Sequence, residues 1–157
     1  MFTEYYGEMM EAAMIHLEHP SKEMWEVRWR WFEQKAEQPD DGGYLVSEQA
    51  CALVADLQCI FCAGAWIAVI VLATAIIDAH LRDAEGCTGN ARSAIDQAGA
   101  DPQLHQLRKR RNALIHSKID SPAITVDQQW SERVRLEDDA RLAVGLVFRV
   151  FYASPSV

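Results

Sequence analysis

From Cys59 to Ile77 the chain runs nineteen residues in which only Gly64 and Thr74 interrupt apolar side chains. A run of that length has two homes, the hydrocarbon core of a bilayer, which takes about 20 residues of helix, or the centre of a helical assembly. The residues themselves favour the second. Ala63, Gly64, Ala65, Ala68, Ala73 and Ala75 are small and allow neighbouring backbones to approach, no basic cluster immediately flanks the N-terminal side, and Asp78 and His80 follow at once. The run therefore predicts a buried central helix.

The rest of the chain supplies partners for it. A helix over 21–37 opens at Ser21, after the Pro20 break, and sets Trp25, Trp29 and Phe32 on one stripe while Glu23, Arg28, Arg30 and Glu33 point elsewhere. Residues 1–19 repeat apolar side chains near helical spacing. The segment Gln38-Pro39-Asp40-Asp41-Gly42-Gly43 reads as a loop. It divides the chain into an N-terminal helical hairpin, 1–43, packed on a main bundle, 44–157. Within the bundle, 91–98 is a short helix ended by Gly99, and Asp101-Pro102 opens another as an N-cap acid followed by Pro at the first helical position. A last amphipathic helix runs from about Ser131 to Tyr152. Only 123–126 hints at a strand. The expectation is an all-α bundle of five or six helices.

With 157 residues, 50% apolar and 24% charged, the composition suits one globular domain. The N-terminus lacks the basic region and apolar core of a secretory signal, which leads to the expectation of a cytoplasmic protein. Cys51, Cys59, Cys62 and Cys87 show no disulfide framework and are expected as reduced thiols. Cys59 and Cys62 have CxxC spacing but no second pair to complete a zinc site. His16 and His19 read as a solvated helix end, and Trp25, Trp29, Trp31 and Phe32 as a packing face before a base-stacking one.

Charge is distributed unevenly. The net charge is −8, yet Arg108, Lys109, Arg110, Arg111 and Lys118 fall together with no acid among them, which leaves −13 on the remainder. That excludes general coating of nucleic acid, which needs many neutralised phosphates, and points to a local anion site. His116 ends the same stretch. Arginine offers phosphate a planar fork of donors, and histidine exchanges protons near neutral pH. On an ideal helix Asn112 and His116 share a face, whereas Arg111 and His116 stand about 140° apart. The same residues also suit an ordinary helix end, where the dipole favours cations and a histidine can cap the last turn.

The segment Arg111-Asn112-Ala113-Leu114-Ile115-His116 resembles the Arg-Asn-x-x-x-His signature, the commonest form of the R-x4-6-H motif, of the HEPN domain family. The order of elements is similar too: an apolar helix ending in an acid, a short helix, the motif helix and an amphipathic C-terminal helix, from about Ser47 to Tyr152. The resemblance implies a metal-independent endoribonuclease, often a toxin or defence effector, that acts as a homodimer and needs no cofactor. Arg111 and His116 would be the catalytic pair, Asn112 the residue that orients them, and Asp78 a support for Arg111, or simply an exposed acid ending a buried helix. Arg108, Lys109, Arg110 and Lys118 would meet the RNA backbone, and an antitoxin or regulatory protein is an expected partner. The family also contains members without nuclease activity, so an inactive RNA-binding, nucleotide-binding or regulatory domain is the alternative.

Overall fold

The structure is a computed structural model that describes residues 7–11, 19–99, 101–116, 118 and 120–155. Residues 7–11 are helical, and the rest of the expected first helix lies outside the described residues. Seven helices follow: α1 (Lys22–Ala36), α2 (Glu48–Ala63), α3 (Trp66–Asp83), α4 (Ala91–Gln97), α5 (Pro102–Ile115), α6 (Val126–Ser131) and α7 (Arg133–Phe151). No strand occurs among the described residues.

The fold is therefore all-α, with more segments than the five or six expected. Two local causes account for the difference. The long apolar run is not one helix, because Gly64 adopts φ +78°, ends α2 in a left-handed cap, and turns the chain into α3 after Ala65. Where 123–126 suggested a strand, Thr125 forms a capping box with Gln128, each side chain accepting from the other's backbone N–H, and starts α6. Four other starts follow side-chain caps: Ser21 for α1, Ser47 for α2, Asn90 for α4 and Asp101 for α5 each accept a backbone N–H of the first turn.

Helix α3 is the centre. Trp66, Val69, Ile70, Ala73, Ile76, Ile77 and Leu81 are buried along it at helical spacing, against Leu57 and Phe61 of α2, Leu104 and Leu107 of α5, and Leu136, Ala140, Val144 and Val147 of α7. Helix α1 belongs to the same core, since the Phe32 ring lies 5.9 Å from Phe61 and 5.5 Å edge-on to Phe148. Cross-contacts give the directions. Arg133 at the start of α7 lies over Trp66 at the start of α3, and Phe151 at the end of α7 touches His80 near the end of α3, so the two run parallel. Asp101 bonds to Arg149 while Arg110 meets Asp139, so α5 runs antiparallel to α7. The C-terminus of α5, the N-terminus of α7 and the α2–α3 turn consequently share one end of the bundle.

The expected aromatic stripe of α1 is shifted. Trp29 is 43% exposed, whereas Arg28 is only 9% exposed and donates from Nη1 to the Cys62 carbonyl at 3.0 Å. Arg28 stands about 40° from Phe32 around the helix and so falls on its buried face; the guanidinium is tolerated there because the end of α2 presents acceptors to it. Cys62 is buried and Cys59 exposed. Among the described residues no helix is long and apolar enough to cross a membrane.

Candidate functional site

The basic stretch occupies the second half of α5, which Asp101 and Pro102 start and His116 ends. His116 leaves the helix with φ −111° and ψ 92°, and its backbone N–H donates to the Asn112 carbonyl at 3.0 Å. Its side chain is exposed. Arg111 is half-buried and donates from Nη1 to Asn112 Oδ1 at 2.9 Å. Asn112 thus holds both motif residues, one through its side chain and one through its main chain. Arg111 and His116 form no hydrogen bond with each other, so within one chain the structure joins Arg111 to Asn112 but does not close an Arg/His pair.

The position of Arg111 is unusual. Leu104, Leu107 and Leu114 pack toward the core at spacings of three and then seven residues, and Arg111 falls between the last two, within about 60° of each around the helix. An arginine stands where the packing pattern of α5 calls for a leucine. Among the described residues its hydrogen bond is to its own sequence neighbour, and no long-range partner there explains it.

The remaining expected site residues divide. Lys109 and Lys118 are exposed and available to an anion, and Arg108 is half-buried with its Nε shielded. Arg110 is otherwise engaged: its Nε lies 3.4 Å from Asp139 Oδ2, and its Nη1 donates to the Ala123 carbonyl at 3.5 Å. It fastens α5 to α7 and to the chain before α6. Asp78 is at the expected place on α3, but its Oδ2 accepts from Arg82 Nε at 2.9 Å, and Arg82 also donates to the Gly89 carbonyl at 2.8 Å. The acid secures the α3–α4 connection rather than pairing with Arg111; the bond raises the pKa of Arg82 above its ordinary value. Asp78 Oδ1 is buried without a partner among the described residues.

His80 is a buried residue of α3 whose two ring nitrogens lack hydrogen bonds among the described residues. Burial lowers its pKa, and the charges of Glu85 and Asp83 oppose that only in part. No group of three or more His, Cys, Asp or Glu among the described residues is arranged to hold a metal.

Five surface grooves are lined by residues other than Arg111, Asn112 and His116. One of about 660 Å³ opens between α1 and α7 over the α2–α3 turn, with Arg28 and Arg133 in its lining. These two arginines were not singled out by sequence; the signal for Arg28 was its helical register with Phe32, and none was present for Arg133. The chain matches no family model, no curated protein and no solved structure.

Proposed function

We propose that the chain is a metal-independent endoribonuclease of HEPN type whose site is composed across a homodimer. The observation that carries the reading is Arg111, a cation in a leucine position of α5, held by Asn112 one turn from an exposed, helix-terminating His116. The chemistry that suits this set is attack of an RNA 2′-hydroxyl on the adjacent phosphorus. The 2′-oxygen forms a bond to phosphorus, the bond to the 5′-oxygen breaks, and the products end in a 2′,3′-cyclic phosphate and a 5′-hydroxyl. Imidazole at His116 moves the protons, and the Arg111 fork stabilises charge developing on the phosphoryl oxygens. Neither role requires a metal or cofactor.

The composite site is part of the proposal. Arg111 bonds to Asn112 and not to His116, and two copies of α5 set side by side would let an arginine of one and a histidine of the other surround one phosphate. Lys109 and Lys118 are the cations best placed for the RNA backbone. A body of charge −13 repels long polyanions beyond that contact, which favours a short or structured RNA. Action on cellular RNA places the protein in the cytoplasm, with an antitoxin or regulatory partner to restrain it.

One observation favours the inactive alternative, a binding or regulatory domain: Asp78, the expected support for Arg111, is engaged by Arg82. Regulated expression in a bacterial host separates the two. An active toxin slows growth, and His116→Ala restores it; equal growth with both chains favours the inactive domain.

A further inference from the structure

Two guanidinium groups meet at the α2–α3 turn. Arg28 lies with its Cζ 4.7 Å from the Trp66 ring centroid and Arg133 with its Cζ 5.7 Å from the same ring. Both are fixed by backbone acceptors, Arg28 Nη1 on the Cys62 carbonyl at 3.0 Å and Arg133 Nη2 on the Gly64 carbonyl at 2.6 Å. Gly64 is where the turn admits this arrangement, since a Cβ there would sit 3.0 Å from Arg28 Nη1.

Among the described residues the charges are only partly balanced. Among the described residues no carboxylate forms an ion pair with either arginine. Glu137, the acid that reaches this groove, gives its Oε1 to Arg141 Nε and Nη2 at 3.0 and 2.6 Å. The end of α2 offers roughly half a negative charge against two full positive ones. Burial and the neighbouring Arg28 charge both lower the pKa of Arg133, with Glu137 opposing. Incompletely compensated charge held away from water is costly, and here a buried Arg28 and a half-buried Arg133 face a groove of about 660 Å³ whose other walls include His19, Met24, Trp130 and Val134.

We propose that this groove is a binding site for a phosphate monoester, its oxyanion held by Arg28 and Arg133 and its body lying along the apolar wall. A tetrahedral oxyanion can accept from two planar forks at once, and pinning of both arginines by carbonyls prepays their ordering. The site is separate from Arg111 and His116 and does not depend on the ribonuclease reading.

Titration calorimetry of the full chain with inorganic phosphate and with adenosine monophosphate is the test. Saturable binding of either supports the site; a nucleotide at least about tenfold tighter assigns the body to the groove wall, and equal affinities assign only the oxyanion. Arg133→Gln, which keeps a donor for the Gly64 carbonyl, is expected to weaken binding at least about tenfold, and Glu137→Gln to tighten it, since it removes a competing negative charge without touching the arginines. Arg92→Gln, which alters an exposed cation of α4 outside the groove, is expected to bind as the wild type. Absence of binding at millimolar ligand overturns the proposal, as does binding that neither groove variant alters.

Discussion

Arg111 departs from the pattern around it, and that departure is measurable. If the residue serves packing, replacing it by leucine, the residue type that its stripe carries at 104, 107 and 114, leaves α5 weaker. If it is held there for chemistry, Arg111→Leu gains apolar contact and loses the hydrogen bond to Asn112. The account predicts a variant as stable as the wild type or more so, by up to about 1 kcal/mol, and inactive on RNA. Thermal unfolding beside a cleavage assay checks both, and a loss of more than about 2 kcal/mol assigns Arg111 to the fold. His80 is the opposite case, a titratable group with no place in the proposed chemistry. Its folded pKa lies below the ordinary 6.5 because burial penalises the charged ring, so below that value the unfolded chain binds more protons than the folded one. Stability is therefore complete above about pH 6.5 and falls as the pH drops toward the folded pKa. Melting temperatures between pH 7 and 5 are expected to fall more steeply for the wild type than for His80→Leu; parallel curves refute a buried neutral His80.

The elements show which signals in a sequence act locally and which do not. Starts at Ser21, Asp101 and Pro102, and the stop at Gly99, were legible because a cap works through its own side chain or its own backbone. The split of the apolar run at Gly64 was not, since a lone glycine among alanines carries no turn signature and its left-handed conformation is set by how α2 and α3 pack. Gly64→Ala measures that constraint. It forces an alanine to φ +78° and sets its Cβ 3.0 Å from Arg28 Nη1, with an expected loss of about 1–2 kcal/mol from the backbone alone. An unchanged melting temperature contradicts the tight turn. Within α5 the motif was readable from spacing, but the division of its cations was not: Lys109 is exposed, whereas Arg110 is engaged by Asp139, twenty-nine residues away in the chain. The Asp78–Arg82 pair, by contrast, lies at i, i+4, a local spacing that the expectation of Asp78 as a support for Arg111 passed over.

For the whole molecule, the up-and-down course of α3, α5 and α7 brings two cationic features to the same end of an acidic body. One is the exposed end of α5 with Arg111, Lys109 and His116; the other is the arginine pair above the α2–α3 turn. The all-α class was legible because helical periodicity runs through nearly every segment, while the arrangement of helices about α3 depended on contacts between side chains far apart in sequence. What the chain does turns on the first of these features. The decisive measurement is incubation of total cellular RNA with the purified protein and with His116→Ala, in excess EDTA, followed by analysis of fragment ends. The account predicts fragments with 2′,3′-cyclic phosphate ends from the wild type alone. Intact RNA in both samples, or cleavage that survives the substitution, contradicts a metal-independent ribonuclease built on His116.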